Sequence, residues 1–301
     1  MTPFVLVLIA APGSGAAVQG IAREVIGEGS VAWSAPSWLG DGEALEIAFE
    51  VADLVEAKAI RDRVAARHAR EPVDICVVPA AGRRKRLLIA DMDSTIIGQE
   101  CIDEMADMLG LKGPISAITE RAMRGELAFE EALRERLGLL RGLAEADLER
   151  VWQERITLTA GARTALATMT AAGAATALVS GGFTYFTSRV AEKAGFQENY
   201  ANNLEIVAGR LTGHVTGSIL GREAKLATLQ RLTRELGLAP HDTLAVGDGA
   251  NDLAMIEAAG LGVAFRAKPI VAAQAHAAIT HGDLTALLYL QGYRRDAFIE
   301  G

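Results

Sequence analysis

The stretch RLLIADMDSTI, residues 86–96, decides the fold of this chain. Its apolar run, Leu87–Ala90, is typical of a strand that is buried on both faces, as in a parallel sheet. Asp91 and Asp93 follow directly, and alternation along an extended chain sends side chains two residues apart to the same side. Neighbouring carboxylates repel each other unless a cation or a proton separates them. The stretch therefore predicts a divalent-metal site with one carboxylate that does chemistry; the alternative is a helix N-cap, where Asp, Ser and Thr are common.

The composition restricts the possible classes of function. The 301 residues include 30 Lys and Arg against 38 Asp and Glu, and half of all residues are hydrophobic. These values indicate a folded globular protein that is long enough for two domains, and an acidic chain is a poor nucleic-acid binder. Two cysteines are too few for a disulfide framework, so we expect a reducing, cytoplasmic location. The apolar run at 4–11 is too short to span a membrane and no basic residue precedes it, so we expect neither a signal peptide nor a membrane partner.

Residues 1–80 are predicted to form a small α+β domain. The hydrophobic pattern gives four strands and two helices in the order βαββαβ, which is typical of a ferredoxin-like unit. The strands are predicted at 4–10, 30–35, 44–51 and 73–79, and the helices at 15–27 and 54–70. This element order resembles that of ACT domains, and the resemblance implies an amino-acid-sensing or dimerising module that could form a homodimer.

A basic cluster, Arg83–Arg86, follows this unit and overlaps a predicted linker at 79–84. In an acidic chain, four adjoining charges before a buried strand are more typical of a solvated linker face than of a nucleic-acid patch. We therefore expect no nucleic-acid partner.

Residues 81–301 are predicted to form an α/β domain. Strands at 87–90, 175–180, 242–248 and 261–265 alternate with helices, which predicts a parallel sheet with helices on both faces. The pattern of residues 99–157 predicts helices only, and these would form a cap above the carboxyl ends of the strands. A two-stranded hairpin is predicted at 204–217 and an amphipathic helix at 223–237.

Polar groups follow three of the predicted strands. Asp91 and Asp93 follow the first, SGG at 180–182 follows the second, and GDGAND at 247–252 follows the third. In open α/β sheets, ligands bind beyond the carboxyl ends of the strands. Glycines and free N–H groups suit a phosphate, and carboxylates from two strands suit Mg²⁺. Each motif alone is usually a turn or a helix cap, but their order and placement together predict a phosphate and metal site.

The motifs DMDST at 91–95, SGG at 180–182, Lys225 and GDGAND at 247–252 resemble, in this order, those of the haloacid dehalogenase-like phosphohydrolases. The resemblance covers about 87–295 and implies a Rossmann-like core with a helical cap. It implies that Asp91 is a nucleophile that forms an aspartyl-phosphate. It also implies that Asp93 protonates the leaving group and then deprotonates the hydrolytic water.

The same resemblance implies the binding groups. Mg²⁺ would be held by the Asp91 carboxylate, the main-chain carbonyl of Asp93 and Asp248. The phosphate would be bound by Ser180, Gly181 and Lys225, with support from Asn251 and Asp252. Without the resemblance, Lys225 would be assigned to the solvent-facing side of its helix, and Asp252 to the N-terminal turn of the next helix.

Substrate choice is predicted to lie in the cap, on the sequence FEEALRERLGLL at 129–140. Arg136 shares the apolar stripe of this helix with Phe129, so it either snorkels at the edge of the stripe or faces an enclosed site. The resemblance favours the second alternative, with Arg136 on a substrate carboxylate and Glu100 on its ammonium group. Met123 and Phe129 would wall the pocket, or else they are plain cap core.

The resemblance implies a small-molecule substrate, O-phospho-L-serine, which is hydrolysed to L-serine and phosphate in the last step of serine biosynthesis. One alternative is a phosphatase or phosphotransferase that acts on another small phosphomonoester, such as phosphohomoserine or phosphothreonine. Another is a non-catalytic amino-acid sensor. A sensor predicts the loss of Asp91 or Asp248, and both are present.

Overall fold

The computed structural model describes residues 1–29, 31–123 and 126–301, except for the side chain of Met123. Its N-terminal sheet has four antiparallel strands, β1 (Thr2–Ala10), β2 (Ser37–Gly40), β3 (Ala44–Val51) and β4 (Val73–Pro79). Helices α1 (Gly15–Gly27) and α2 (Leu54–Arg67) pack on one face of this sheet. The chain order βαββαβ and the spatial order β2-β3-β1-β4 confirm the predicted ferredoxin-like unit.

The second strand of this unit differs from the prediction, which placed it at 30–35. Trp33 makes only an isolated bridge to Phe49, and the strand forms at Ser37–Gly40 instead. Pro36 lies between the two and cannot donate a hydrogen bond to a ladder. The regular pairing therefore starts after the proline.

The larger sheet has seven strands, and its pairings are parallel except at one edge. Its strands are β5 (Leu87–Ala90), β6 (Ala175–Phe183), β7 (Glu198–Val207), β8 (Arg210–Thr216), β9 (Thr243–Gly247), β10 (Leu261–Phe265) and β11 (Ala277–Ile279). They lie in the order β11-β10-β9-β5-β6-β7-β8, and β8 runs antiparallel to β7. The predicted parallel sheet and the predicted hairpin are both confirmed.

The segment between β5 and β6 is helical. It starts with a wide turn at Met92–Ile96, in which Asp93 and Ser94 have non-helical backbone angles. The helices that follow are α3 (Cys101–Met108), α4 (Lys112–Met123), α5 (Phe129–Leu139), α6 (Glu145–Arg155) and α7 (Ala162–Ala171). The later helices are α8 (Thr184–Ala194), α9 (Arg222–Glu235), α10 (Leu253–Ala258), α11 (Pro269–Gln274) and α12 (Ala286–Leu290). Among the residues that the structure describes, no helix combines the length and the apolar character needed to cross a membrane.

Strand β5 lies at the centre of the larger sheet, between β6 and β9. The chain leaves β5 for β6 on one side and later crosses to β9 on the other, so the ends of these three strands form the topological switch point of the sheet. Ala90, the last residue of β5, pairs with Leu178 in β6 and with Val246 in β9. The polar motifs that follow these three strands therefore lie next to one another at the carboxyl edge of the sheet.

The two sheets are joined by a packed interface. Along β1, alternate side chains enter the core under α1 and α2, and the others share a core with α12, namely Val5, Val7 and Ile9. Arg83, whose side chain is 12% exposed, donates to the carbonyl groups of Tyr289 and Leu290 and to the carboxylate of Glu46. The prediction of a solvated linker face is therefore wrong for Arg83, because its guanidinium satisfies carbonyl groups at the end of α12.

Candidate active site

Lys225 lies at the centre of a buried charge cluster at the switch point. Its side chain is 1% exposed, and Nζ lies 2.6 Å from Asp91 Oδ1 and 2.6 Å from Asp252 Oδ1. Burial opposes the positive charge, but the two carboxylates outweigh it and raise the pKa of Lys225 above its usual value. Helix α9 therefore presents a charged lysine to the end of β5 and not to solvent.

Three carboxylates surround this position. Asp91, Asp248 and Asp252 each place one oxygen within 4.8 Å of the others. Burial, and then the charge of Asp252, raise the pKa of Asp248 to about 6, and Thr95 Oγ1 donates to Asp248 Oδ1 at 3.3 Å. When all three are ionised, these carboxylates exceed the one ammonium of Lys225 by two negative charges, and that repulsion accompanies the raised pKa values of Asp91 and Asp248. Oxygen donors and that excess charge fit a hard divalent cation, which agrees with the predicted metal site.

Asp91 and Asp252 differ in which of their oxygens are engaged. Asp91 Oδ1 accepts from Lys225 and from the main-chain N–H of Met92 at 2.8 Å, and Oδ2 has no partner among the described residues. Both oxygens of Asp252 are engaged, one by Lys225 and the other by the N–H of Gly249 at 3.0 Å. Oδ2 of Asp91 is therefore the oxygen that can attack an electrophile, whereas Asp252 holds Lys225 and the loop before α10.

That loop approaches Asp252 so closely that it needs a glycine. A Cβ at position 247 would lie 2.5 Å from Asp252 Cγ. Asn251 places its Oδ1 over Gly249, and its side chain makes no hydrogen bond within the described part of the chain. The GDGAND motif thus brings Asp248 and Asn251 to the same edge as Asp91.

Asp93 has different partners from Asp91, although both follow β5. The main-chain N–H of Cys101 donates to Asp93 Oδ1 at 2.9 Å, and Ser180 Oγ donates to Oδ2 at 3.2 Å. Burial raises the pKa of Asp93 above its usual range. Burial also raises the pKa of Asp91, but the ammonium of Lys225 lies against Asp91 and opposes that effect. The site therefore contains one carboxyl group that is paired with a lysine and one that is held by neutral donors, and this difference suits separate nucleophilic and acid–base roles.

The SGG motif forms an irregular segment of β6 next to Asp93. Ser180 is 1% exposed, and its Oγ accepts from the N–H of Gly182 at 2.8 Å. Phe129, the first residue of α5, packs against Gly181, where a Cβ would lie 2.9 Å from Phe129 Cζ. A side chain at position 181 would displace the Phe129 ring, so glycine lets the helical segment close directly onto the SGG loop.

Glu100 lies at the start of α3, near Asp93. Ser94 Oγ donates to Glu100 Oε1 at 2.7 Å. The residue as a whole is exposed, but its carboxyl group lies among protein atoms. This burial, and then the charge of Asp93, raise the pKa of Glu100 to about 7.

Arg136 is half-buried on α5, in the electrostatic field of Asp103, Glu100 and Asp93. Burial lowers its pKa, and the three carboxyl groups oppose that effect. Its Nε donates to the carbonyl of Ala132, one turn earlier, at 3.3 Å. The guanidinium therefore faces the acidic side of the site. The predicted role of Met123 falls on a side chain outside the described residues.

The sequence reasoning missed three residues that the structure brings to this site. Thr95 donates a hydrogen bond to Asp248, and Asn202 donates one to a carbonyl group of the SGG loop. The negative charge of Asp103 favours the charged form of Arg136. Asp103 follows Glu100 by three residues, a helical spacing that could have revealed it. Asn202 lies in a strand with no motif around it, so no sequence signal pointed to it.

The sequence profile of the haloacid dehalogenase-like hydrolases matches residues 88–257. A phosphoserine phosphatase from Archaeoglobus fulgidus is 44% identical over 234 residues, which are 77% of this chain and 68% of that protein. The chain spans between 59% and 68% of the length of the first three curated relatives that it matches.

Solved structures show the same similarity. A HAD family hydrolase from Salmonella enterica serovar Typhi has a TM-score of 0.83 at 29% identity, and the match covers 95% of this chain and 98% of that one. A substrate-bound phosphoserine phosphatase has a TM-score of 0.64 at 40% identity, and the match covers 68% of this chain and 97% of that one.

Proposed function

Because the chain belongs to the haloacid dehalogenase-like hydrolase family, we propose that it is a phosphoserine phosphatase that hydrolyses O-phospho-L-serine to L-serine and inorganic phosphate. In metabolism, this reaction would be the last step of serine biosynthesis, in the cytoplasm. The observation that carries the proposal is the division between two neighbouring carboxyl groups. Asp91 forms an ion pair with Lys225, whereas Asp93 accepts hydrogen bonds from the Cys101 N–H and the Ser180 hydroxyl.

In the first step, Oδ2 of Asp91 attacks the phosphorus atom, and the bond from phosphorus to the serine oxygen breaks. Asp93 donates a proton to that oxygen, L-serine leaves, and an aspartyl-phosphate remains on Asp91. Burial, which raises the pKa of Asp93, favours the protonated form that this step needs. Lys225, Ser180 and the N–H of Gly181 bind the phosphoryl oxygens and stabilise their charge.

In the second step, Asp93 acts as a base. It takes a proton from the water molecule that attacks the phosphorus of the aspartyl-phosphate. The bond from phosphorus to Asp91 breaks, inorganic phosphate leaves, and both carboxyl groups return to their starting protonation states.

A divalent metal is part of this family's chemistry, and we propose that it is Mg²⁺ here. Its ligands would be the carboxylates of Asp91 and Asp248 and the main-chain carbonyl of Asp93, with Asn251 and Asp252 as supporting residues. When bound, Mg²⁺ supplies positive charge that stabilises the phosphoryl oxygens. Removal of divalent ions with a chelator should abolish turnover, and added Mg²⁺ should restore it.

The selectivity for phosphoserine would come from the cap helices. Glu100 would bind the substrate ammonium and Arg136 its carboxylate, because the two side chains carry opposite charges on the same side of the site. Phe129 would close the pocket over the SGG loop, with Met123 as a further wall residue.

A panel of phosphate esters tests the proposed activity. We expect the highest kcat/KM for O-phospho-L-serine, with lower values for phosphothreonine, phosphohomoserine and sugar phosphates. Phosphothreonine and phosphohomoserine keep the ammonium and carboxylate groups, so their kcat/KM values report on the size of the pocket. The sugar phosphates lack both groups, so their kcat/KM values report on the roles of Glu100 and Arg136. A higher kcat/KM for any other ester contradicts the assignment of the substrate.

We propose the division of the chain at residue 80, with an ACT-like unit at 1–80 and the phosphatase domain at 81–301, its cap at about 99–157. The four-stranded sheet with two helices on one face supports this division. The first unit would also form a homodimer. Light scattering of the full chain tests this, since a mass of one chain at micromolar concentration contradicts it.

A further inference from the structure

Strands β6 and β7 lose their regular pairing at the SGG loop. The last regular pair is Val179 with Tyr200, and the next pair is Phe183 with Asn202. Strand β6 therefore advances four residues while β7 advances two, and the extra length forms a bulge at 180–182. A bulge leaves main-chain groups without their ladder partners, so something else must satisfy them.

The side chain of Asn202 satisfies these groups. The residue is 3% exposed, and its Nδ2 donates to the carbonyl groups of Gly181 at 2.9 Å and Gly182 at 3.3 Å. The same amide joins Leu220, since Nδ2 donates to its carbonyl at 3.3 Å and its N–H donates to Oδ1 at 2.7 Å. One buried amide thus replaces the missing ladder and ties the loop to the segment before α9.

The peptide unit between Gly181 and Gly182 connects this amide to the reacting groups. In a trans peptide the carbonyl and the N–H point in opposite directions, so the unit whose carbonyl faces Asn202 directs its N–H away from it. That N–H, of Gly182, donates to Ser180 Oγ, and Ser180 Oγ donates to Asp93. Three hydrogen bonds in series therefore run from Asn202 to the acid–base carboxyl group.

The same amide also supports the contact between the cap and the loop. Phe129 packs on Gly181 and on Gly221, where a Cβ would lie 3.4 Å from Phe129 Cδ1. Asn202 binds Gly181 itself and Leu220, the neighbour of Gly221. Helix α9, which carries Lys225, begins immediately afterwards at Arg222.

We propose that Asn202 is a positioning residue for phosphoryl transfer: its amide fixes the orientation of the 180–182 bulge and so sets the phosphate-binding groups and the Ser180 hydroxyl. This inference rests on the proposed function. It requires that Asn202 affect phosphate binding itself and not the recognition of the amino-acid part of the substrate.

The test compares Asn202→Asp with Asn203→Asp, the same chemical change at the next residue. Asn202→Asp keeps the acceptor for the Leu220 N–H but turns a carboxylate oxygen toward three carbonyl groups. Asn203 is exposed, and its side chain accepts only from Thr184 within the described residues, so it is the matched control. Asn202→Ala is a second variant, which leaves space for water and introduces no charge.

We expect kcat/KM to fall by about 100-fold in Asn202→Asp, equally for phosphoserine and for an aryl phosphate, as a misplaced binding loop can cost. The Kd of inorganic phosphate, measured by titration calorimetry with Mg²⁺, should rise by about tenfold in both Asn202 variants, as for the loss of a hydrogen bond to a charged ligand. A merely structural role would lower the number of phosphate-binding sites per chain in the titration and leave the Kd of the remaining folded enzyme unchanged. Circular dichroism of each variant gives the folded fraction by which the apparent Kd is corrected.

The outcomes separate the two proposals. If the unmodified protein fails to hydrolyse phosphoserine, the proposed function is wrong, and the phosphate Kd still tests Asn202. If both Asn202 variants bind inorganic phosphate as tightly as Asn203→Asp does, Asn202 is not a positioning residue.

Discussion

At the scale of single residues, the environment separates two aspartates that the sequence places two positions apart. The chain turns immediately after β5, and the turn at Met92–Ile96 brings Asp93 to the N–H of Cys101. Asp91 stays at the strand end, where Lys225 reaches it. A strand pattern sends both side chains in one direction and cannot show this separation, whereas the motif resemblance implied it.

Asp93→Asn tests the acid–base role of that residue. Asparagine has nearly the same shape but cannot transfer a proton, so kcat for phosphoserine should fall by about 10²–10⁴-fold. An aryl phosphate has a leaving group that needs little protonation, so its first step should still proceed. We therefore expect a burst of about one aryl alcohol per active site in rapid-mixing experiments, followed by slow turnover. Slow release of the aryl alcohol without an initial burst contradicts the role of Asp93 as the base of the second step.

The raised pKa of Glu100 predicts a pH dependence of substrate binding. Burial and then the charge of Asp93 place this pKa at about 7, so the carboxylate is lost as the pH falls through that value. A neutral carboxyl group binds an ammonium group weakly, and the KM for phosphoserine should therefore rise between pH 8 and pH 6, as expected for a group with a pKa of about 7.

Two controls isolate this effect from the other acidic groups near Glu100, which include Asp93, Asp248 and Asp103. An aryl phosphate has no ammonium group, so its KM should lack the change. Glu100→Gln should have a high KM for phosphoserine at every pH in this range. The assignment of Glu100 is wrong if the variant keeps the pH dependence of the unmodified protein.

At the scale of helices and strands, the hydrophobic pattern predicted the elements well but not what their polar side chains contact. The strand at 261–265 has the predicted bounds, and the helix predicted at 223–237 forms at Arg222–Glu235. Local spacing determines such elements. The partners of Lys225, however, come from distant strand ends, and the pattern alone would have placed this lysine in solvent.

Helix α5 offers a matched pair of arginines for a test of substrate selectivity. Arg136 is half-buried and faces the acidic side of the site, whereas Arg134 is exposed and pairs with Glu130 on the same helix. Arg136→Ala should lower kcat/KM for phosphoserine by about 100-fold, as expected when a charged hydrogen-bonding partner is lost, and leave an aryl phosphate nearly unaffected.

The control variant Arg134→Ala should keep both activities, because an exposed ion pair contributes little. Equal losses on the two substrates in Arg136→Ala would mean that Arg136 supports the structure of the cap and does not bind the substrate carboxylate.

At the scale of the whole molecule, the N-terminal unit is packed onto the larger sheet. Asp74 in β4 is 4% exposed and accepts hydrogen bonds from the main-chain N–H groups of Thr280, His281 and Gly282, which follow β11. The sequence predicted the elements of both parts but not this contact. A single aspartate in a hydrophobic strand has no local signal for partners more than two hundred residues away.

Asp74→Ala tests how much this contact contributes to stability. The substitution leaves three main-chain N–H groups without their charged acceptor, so the free energy of unfolding should fall by about 2–3 kcal/mol. Thermal denaturation of the full chain measures the effect. Asp41→Ala, at an exposed position of the same unit, should unfold like the unmodified protein. Identical melting of the two variants contradicts a stabilising interface.

The proposed mechanism depends on transfer of the phosphoryl group to Asp91. Acid quenching of the full-length protein during turnover of O-phospho-L-serine with Mg²⁺, followed by proteolysis and mass spectrometry, tests it most directly. We predict one phosphoryl group on Asp91, and neither this adduct nor serine release in Asp91→Asn. A phosphoryl group on another residue, or normal turnover by Asp91→Asn, would contradict the account.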